Sequence, residues 1–134
     1  MFGDAAVCSN LLIELHLDSC GLWGNIPELH LPAARIIYMS DNELTGTLAP
    51  LSGCLVLEEL GLDGNHLTGT LQPLDGFERI RVLNLTENRL TGGLEPLRGF
   101  AGQLQGLDLA SNELTGDLEA LRGCTALQVG EARW

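Results

Sequence analysis

The segment that decides the fold of this chain is residues 83–94, which read Leu83-Asn84-Leu85-Thr86-Glu87-Asn88-Arg89-Leu90-Thr91-Gly92-Gly93-Leu94. Most of this segment recurs along the 134 residues at intervals of 22 to 24 residues. A period of this length is typical of proteins in which each repeat buries its apolar face against its neighbours. The sequence therefore predicts a stack of similar coils.

One Asn or Cys in each repeat aligns the coils. These residues are Cys20, Asn42, Asn65, Asn88 and Asn112. Coils 1 to 5 are predicted to start near residues 12, 34, 57, 80 and 104, and a partial coil starts near residue 127. We interpret residues 1–11 as the tail of a preceding coil or as an N-terminal cap. The whole chain, residues 1–134, is then a single solenoid domain.

Apolar and polar residues alternate before each aligning residue. In coil 4, Leu83 and Leu85 alternate with Asn84 and Thr86. Alternation with a period of two indicates a strand, and strands one repeat apart must pair in parallel. We therefore predict an α/β-type repeat solenoid, a right-handed coil with a parallel β-sheet on its concave side. The convex side is predicted to hold short 3-10 or irregular segments and little α-helix.

A second shared segment follows each aligning residue and carries a resemblance to a known family. Four coils read Leu-Thr-Gly-x-Leu, at residues 44–48, 67–71, 90–94 and 114–118. Together with the L-x-x-L-x-L spacing before the Asn, this segment resembles the plant-type subclass of leucine-rich repeats. The resemblance covers nearly the whole chain. It implies recognition of proteins, peptides or glycans, as in receptor ectodomains and inhibitors of secreted hydrolases.

The aligning column has a structural interpretation. An Asn at a tight bend can donate and accept hydrogen bonds with backbone groups of its own coil and of the neighbouring coil. We predict such a ladder at Cys20, Asn42, Asn65, Asn88 and Asn112. The threonines of the second shared segment are predicted to form a hydroxyl ladder, at Thr45, Thr68, Thr91 and Thr115. Neither column is assigned to ligand binding.

The convex segments contain glycine followed by Cys or Phe, as in Gly76-Phe77 and Gly99-Phe100. We expect positive φ at these glycines. Cys54 and Cys124 occupy the same convex position three coils apart, and at ~5 Å per strand they are too distant for a disulfide. The sequence therefore predicts four reduced, largely buried thiols.

Composition excludes several functions. The formal net charge of −11 disfavours nucleic acid, because binding phosphate needs clustered positive charge. No apolar run approaches the ~18 to 20 residues of a transmembrane helix, so membrane insertion is not predicted. The first residues lack the pattern of a signal peptide. The compartment therefore stays open, with the cytoplasm as the default expectation.

Function is predicted to lie in the outward residues of the concave strands. The candidate partner-binding residues are His16, Asp18, Tyr38, Asp41, Glu59, Asp63, Asn84, Glu87 and Asp108. We expect Asp18, Asp41, Asp63 and Glu87 to form one row of carboxylates, which favours a cationic partner. Tyr38 is the only tyrosine and is the best single anchor by residue type.

Catalysis is not predicted, because no nucleophile elbow or cofactor fingerprint accompanies the three histidines. No cofactor or metal site is predicted either. We predict a non-catalytic interaction scaffold for a protein or peptide, including a basic one, that is a fragment of a longer array. Self-association through uncapped ends is a further predicted contact. The alternative is a set of structural spacer coils in a larger receptor or receptor-kinase-like protein, with no binding site of their own.

Overall fold

The computed structural model describes residues 11–127 and 132–133. The tail or cap predicted before coil 1 lies almost wholly outside the described residues. In chain order the strands are β1 (Glu14–His16), β2 (Trp23–Asn25), β3 (Ile36–Tyr38), β4 (Glu43–Thr45), β5 (Glu59–Gly61), β6 (Val82–Asn84), β7 (Thr91–Gly92), β8 (Gly106–Asp108), β9 (Glu113–Leu114) and β10 (Ala132–Arg133). Four 3-10 helices complete the described elements: η1 (Ala49–Leu51), η2 (Gln72–Leu74), η3 (Glu95–Gln103) and η4 (Glu119–Leu121).

The concave side is a six-stranded parallel sheet in the order β1-β3-β5-β6-β8-β10. Each strand pairs with the strand one coil away, so that equivalent residues lie side by side. The inward residues at the strand centres are Leu15, Ile37, Leu60, Leu83 and Leu107. The alternation in the sequence therefore predicted both the strands and their register.

The convex side is built from 3-10 helices, and the described residues contain no α-helix. Pro50, Pro73 and Pro96 lie in the first turns of η1, η2 and η3. Proline is favoured there because its φ suits a helix start and its missing N–H would have no partner. Two short parallel sheets pair β2 with β4 and β7 with β9. In the sequence, each of these strands follows the concave strand of its coil and precedes the convex segment.

Columns of aliphatic side chains form the core. Leu60 and Leu83 are fully buried, and Phe77 and Phe100 are fully buried at the convex side. Burial decreases at the outer coils, where Leu118 is 48% exposed. This gradient follows from the stacking, because a terminal coil packs against a neighbour on one side only.

The structure differs from two sequence expectations. Gly76 has a φ of +92°, but Gly99 is not among the residues with positive φ. A Cβ at Gly99 would lie 2.7 Å from the carbonyl oxygen of Phe77, so close packing explains this glycine. Cys20 is exposed, whereas Cys54 is buried, and both are free thiols. The expectation of buried thiols was therefore wrong for Cys20, which lies in the first described coil.

Candidate functional site

The concave face is defined here by three columns of outward residues. The first column is Glu14, Ile36, Glu59, Val82 and Gly106, and the second is His16, Tyr38, Gly61, Asn84 and Asp108. The third column follows two residues later in each coil and is Asp18, Ser40, Asp63, Thr86 and Ala110. Charged and aromatic side chains are concentrated in coils 1 to 3. Coils 4 and 5 present mainly small or uncharged residues.

Tyr38 lies at the centre of this polar region. Its ring centroid is 5.4 Å from that of His16, and the two planes are inclined by 59°. The hydroxyl of Tyr38 donates a hydrogen bond to Oε2 of Glu59. Burial, followed by this hydrogen bond and the charge of Glu59, raises the pKa of Tyr38 to about 12. The phenol is therefore neutral and a donor at physiological pH.

Ion pairs connect the strands along one margin of the face. Nε and Nη2 of Arg35 donate to the two carboxylate oxygens of Glu58 at 2.9 and 3.0 Å. Nη2 of Arg81 lies 3.3 Å from Glu58 Oε2 and 3.6 Å from Glu59 Oε1. The hydrogen bond from Arg35 lowers the pKa of Glu58 and raises that of Arg35. Glu58 and Glu59 therefore each have an arginine partner within the protein.

The carboxylates expected in one row lie in two columns, so the single-row expectation was wrong. Asp18 and Asp63 flank Ser40, whose N–H donates to Asp18 Oδ1 at 2.7 Å and whose hydroxyl donates to Asp63 Oδ1 at 2.6 Å. Asp41 and Glu87 lie one residue further along their coils and are exposed. Because neighbouring residues leave a strand in different directions, an offset of one residue separates the two pairs.

The second pair of carboxylates lies on left-handed backbone. The φ values are +53° at Asp41 and +55° at Glu87, and the equivalent residue of coil 3 is Gly64 at +66°. A non-glycine residue adopts this conformation at a cost of about 1–2 kcal/mol. The chain therefore turns at this residue, three residues after β3 or β6 has ended, and Asp41 and Glu87 lie outside the sheet.

The aligning asparagines bond neighbouring coils through their amide groups. Nδ2 of Asn65 donates to Leu62 O of its own coil and to Met39 O of the preceding coil, each at 3.0 Å. Its Oδ1 accepts from the N–H of Leu44 at 3.0 Å. The same arrangement recurs at Asn42, Asn88 and Asn112. Sγ of Cys20 instead lies 3.4 Å from the carbonyl oxygen of Asp18 in its own coil.

The threonine column does not form the predicted ladder of hydroxyl groups. The hydroxyls of Thr68 and Thr91 donate to the carbonyl oxygens of Gly46 and Gly69 at 3.3 Å. That of Thr45 donates to the side chain of Asn25 at 3.0 Å. These bonds join each of the three hydroxyls to the preceding coil, through a backbone carbonyl or the Asn25 side chain.

Apart from Asp41 and Glu87, the predicted site residues fall into two groups. The structure brings together His16, Asp18, Tyr38, Glu59 and Asp63 on coils 1 to 3. Asn84 and Asp108 lie on coils 4 and 5, where each accepts a hydrogen bond from the N–H two residues later, at 3.1 and 3.2 Å. These two residues therefore brace the ends of their own strands.

Ser40, Gly61 and Arg81 were not among the candidate partner-binding residues, although their positions in the repeat face outward. Ser40 bridges two carboxylates, and Arg81 pairs with two others. The sequence does contain a signal for Gly61, because a glycine inside a strand often marks a close approach by another group. Within residues 11–127, no three His, Cys, Asp or Glu side chains are arranged to hold a metal ion. In the same part of the chain, none of the helices has the length and apolar character to cross a membrane.

Comparison with known proteins connects this geometry to a family. No protein-family model matches the sequence, and no curated protein does. Solved structures do match. The structure of PEPR1-AtPEP1 matches with a TM-score of 0.81 and 30% identity, over 89% of this chain and 18% of that chain. The LRR ectodomain of the receptor kinase SOBIR1 from Arabidopsis thaliana matches with a TM-score of 0.75 and 27% identity, over 82% of this chain and 63% of that chain.

This chain is a plant-type leucine-rich repeat protein. A third similar structure is the plant peptide hormone receptor RGFR1 in complex with RGF2, with a TM-score of 0.83 and 25% identity. That match covers 92% of this leucine-rich repeat chain and 21% of RGFR1. The chain thus spans about a fifth of the length of PEPR1 and of RGFR1. Its fold is the leucine-rich repeat solenoid of these structures.

Proposed function

We propose that this leucine-rich repeat chain is a non-catalytic scaffold that binds a protein or peptide on its concave face, and that the partner is basic where it meets Tyr38. The observation that carries this proposal is the position of Tyr38 among the carboxylates of coils 1 to 3. Aromatic residues of this kind carry much of the binding energy at protein interfaces. RGFR1, which has the same fold, is a receptor for peptide hormones.

The charges of the face support a basic partner. Glu58 and Glu59 already have arginine partners. Asp18 and Asp63 accept hydrogen bonds from Ser40, which carries no charge to balance theirs. These two carboxylates therefore keep a negative potential beside the Tyr38 ring. Complementary charge speeds association and selects the partner, although each exposed pair adds only about 0.2–1 kcal/mol.

A charge-reversal experiment tests this function. We expect the Glu14→Lys, Asp18→Lys, Asp63→Lys triple variant, which reverses three acids of the concave columns, to retain about tenfold less of the partner in a pull-down from lysate of the source organism, because complementary charge becomes repulsive. The matched control reverses three exposed acids outside the concave columns, Glu28, Glu78 and Glu113. Both triple variants carry the same net charge.

The control variant should retain the partner that the unmodified chain retains. Equal capture by all three proteins would instead favour the spacer interpretation, in which these coils have no binding site. Mass spectrometry of the captured proteins identifies which protein to follow. Circular dichroism of each variant verifies that the solenoid is folded.

The ends of the described solenoid support a second contact. Leu11 is 81% exposed beside β1, and Leu118 is 48% exposed in coil 5. Exposed apolar residues at solenoid ends are covered by caps or by further coils. We infer that these ends meet further coils of a longer array, or in isolation a second copy. The isolated chain should then associate reversibly, and sedimentation that stays monomeric at every concentration would contradict this inference.

A further inference from the structure

We propose that Gly61 and Glu59 are positioning residues, which hold the Tyr38 ring across coil 3 as a preformed platform for an arginine side chain of the partner. The arginine assignment rests on the function proposed above. The positioning of the ring rests on contacts within the chain and can be tested without a partner. The role of Gly61 was not predicted from the sequence.

Gly61 provides the space that the ring occupies. A Cβ at this position would lie 2.5 Å from Cδ1 and 3.0 Å from Cε1 of Tyr38. Gly61 is not among the residues with positive φ, so its backbone does not require glycine. Gly106 lies in the same sheet, and there a Cβ would meet only Val82, at 3.8 Å. The closeness of the ring therefore explains glycine at residue 61, and Gly106 provides a matched control.

Glu59 fixes the position of the ring from its polar end. One carboxylate oxygen accepts the hydrogen bond from the Tyr38 hydroxyl, and the other lies 3.6 Å from Nη2 of Arg81. Arg81 is held in turn by Glu58 at 3.3 Å. His16 approaches the ring from coil 1. The ring is thus contacted from coils 1 and 3, and it keeps a partly exposed surface on the concave face.

The surroundings of the ring select the chemistry of the partner. Ser40 Oγ lies 3.4 Å from the Cβ position of Gly61 and 2.6 Å from Asp63 Oδ1, which places a carboxylate next to the ring. A guanidinium group is planar, stacks on aromatic rings and bonds carboxylates through paired N–H groups. A lysine ammonium lacks the planar surface for stacking. A ring held in place before binding also avoids the entropy cost of ordering it.

The positioning is tested by titrating the phenol, because Tyr38 is the only tyrosine and its phenolate absorbance reports this residue alone. In the unmodified chain the pKa should be about 12. Gly61→Ala should displace the ring, remove its burial and its bond to Glu59, and lower the pKa towards the ordinary value of about 10. Glu59→Gln removes the charge but keeps the burial, so its pKa should lie between these two. Gly106→Ala should leave the pKa unchanged.

Ring NMR signals at neutral pH provide a second readout that does not depend on alkaline conditions. The folded-state pKa is raised, so the stability that Tyr38 contributes is present below about pH 10 and is lost as the pH rises towards 12. At neutral pH, the Tyr38 ring shifts should move towards random-coil values in Gly61→Ala but not in Gly106→Ala. Unchanged shifts and an unchanged pKa in Gly61→Ala would overturn the positioning role.

The arginine platform is tested with an acetylated hexa-arginine amide, with hexa-citrulline and hexa-lysine peptides as controls. Hexa-arginine should shift the Tyr38 ring signals saturably and bind at least about threefold more weakly to Gly61→Ala than to Gly106→Ala. Hexa-lysine should bind more weakly than hexa-arginine, and hexa-citrulline should not bind. If the Tyr38 pKa changes in the variants as expected but hexa-lysine binds as tightly as hexa-arginine, the arginine assignment is overturned while the positioning role stands. The charge-reversal pull-down reports independently on the proposed function.

Discussion

Replacing Asn65 by alanine is expected to lower the free energy of unfolding by about 3 kcal/mol, because it leaves buried backbone groups of two coils without partners. Asn65 is buried, and its Oδ1 accepts the N–H of Leu44. Its Nδ2 donates to the carbonyl oxygens of Met39 and Leu62. Each unpaired buried polar group costs about 1–3 kcal/mol, and alanine can neither donate nor accept through its side chain.

Urea unfolding followed by circular dichroism measures this change. Asn112→Ala is the matched control, because Asn112 makes the same bonds to Leu85 and Leu90 but is only partly buried. Water can reach the groups that this second substitution frees, so its cost should be about 1 kcal/mol. Equal, small losses for the two variants would show that the ladder does not hold the coils together.

Replacing Phe77 by alanine is expected to lower the free energy of unfolding by about 3–5 kcal/mol. Phe77 is fully buried on the convex side. The backbone at Gly99 packs against the carbonyl oxygen of Phe77, so this region cannot easily close over the space left by the ring. The loss combines the missing apolar burial with a residual cavity.

The size dependence of this loss provides the test. Phe77→Leu keeps most of the apolar volume and should cost about 1–2 kcal/mol. Chemical denaturation at several temperatures, with m values compared between variants, checks that unfolding stays cooperative. A loss of less than about 1 kcal/mol for Phe77→Ala would mean that the convex side adjusts freely around the cavity.

Both substitutions act on residues that face the core or the neighbouring coil, whereas the candidate site uses residues that face outward. Leu60 and Gly61 are adjacent in β5 and illustrate the difference. Leu60 is buried in the core column and belongs to the repeat. Gly61 departs from the repeat and accommodates Tyr38. Framework variants should therefore change stability, while variants of the concave columns should change recognition.

The strands, their register and the asparagine column were predictable because the strand pattern occurs five times in the sequence and the asparagine four times. A pattern that recurs with a constant period reveals which residues must lie side by side, even when a single coil would be ambiguous. Asp41 lies one residue before Asn42, whereas Asp63 lies two residues before Asn65. The offset between the two carboxylates could therefore have been predicted from the sequence. The single-row expectation overlooked this offset and was wrong for that reason.

The sequence by itself determined the solenoid, its parallel concave sheet and the aliphatic columns, since repetition and alternation specify the packing of neighbouring coils. Only the tertiary structure decided which of the variable side chains on that sheet contact one another. The contact of Tyr38 with Gly61, the bridge of Ser40 between two carboxylates and the exposure of Cys20 depend on which side chains meet across coils. Such contacts follow from side-chain directions and distances in space, and no periodicity in the sequence records them.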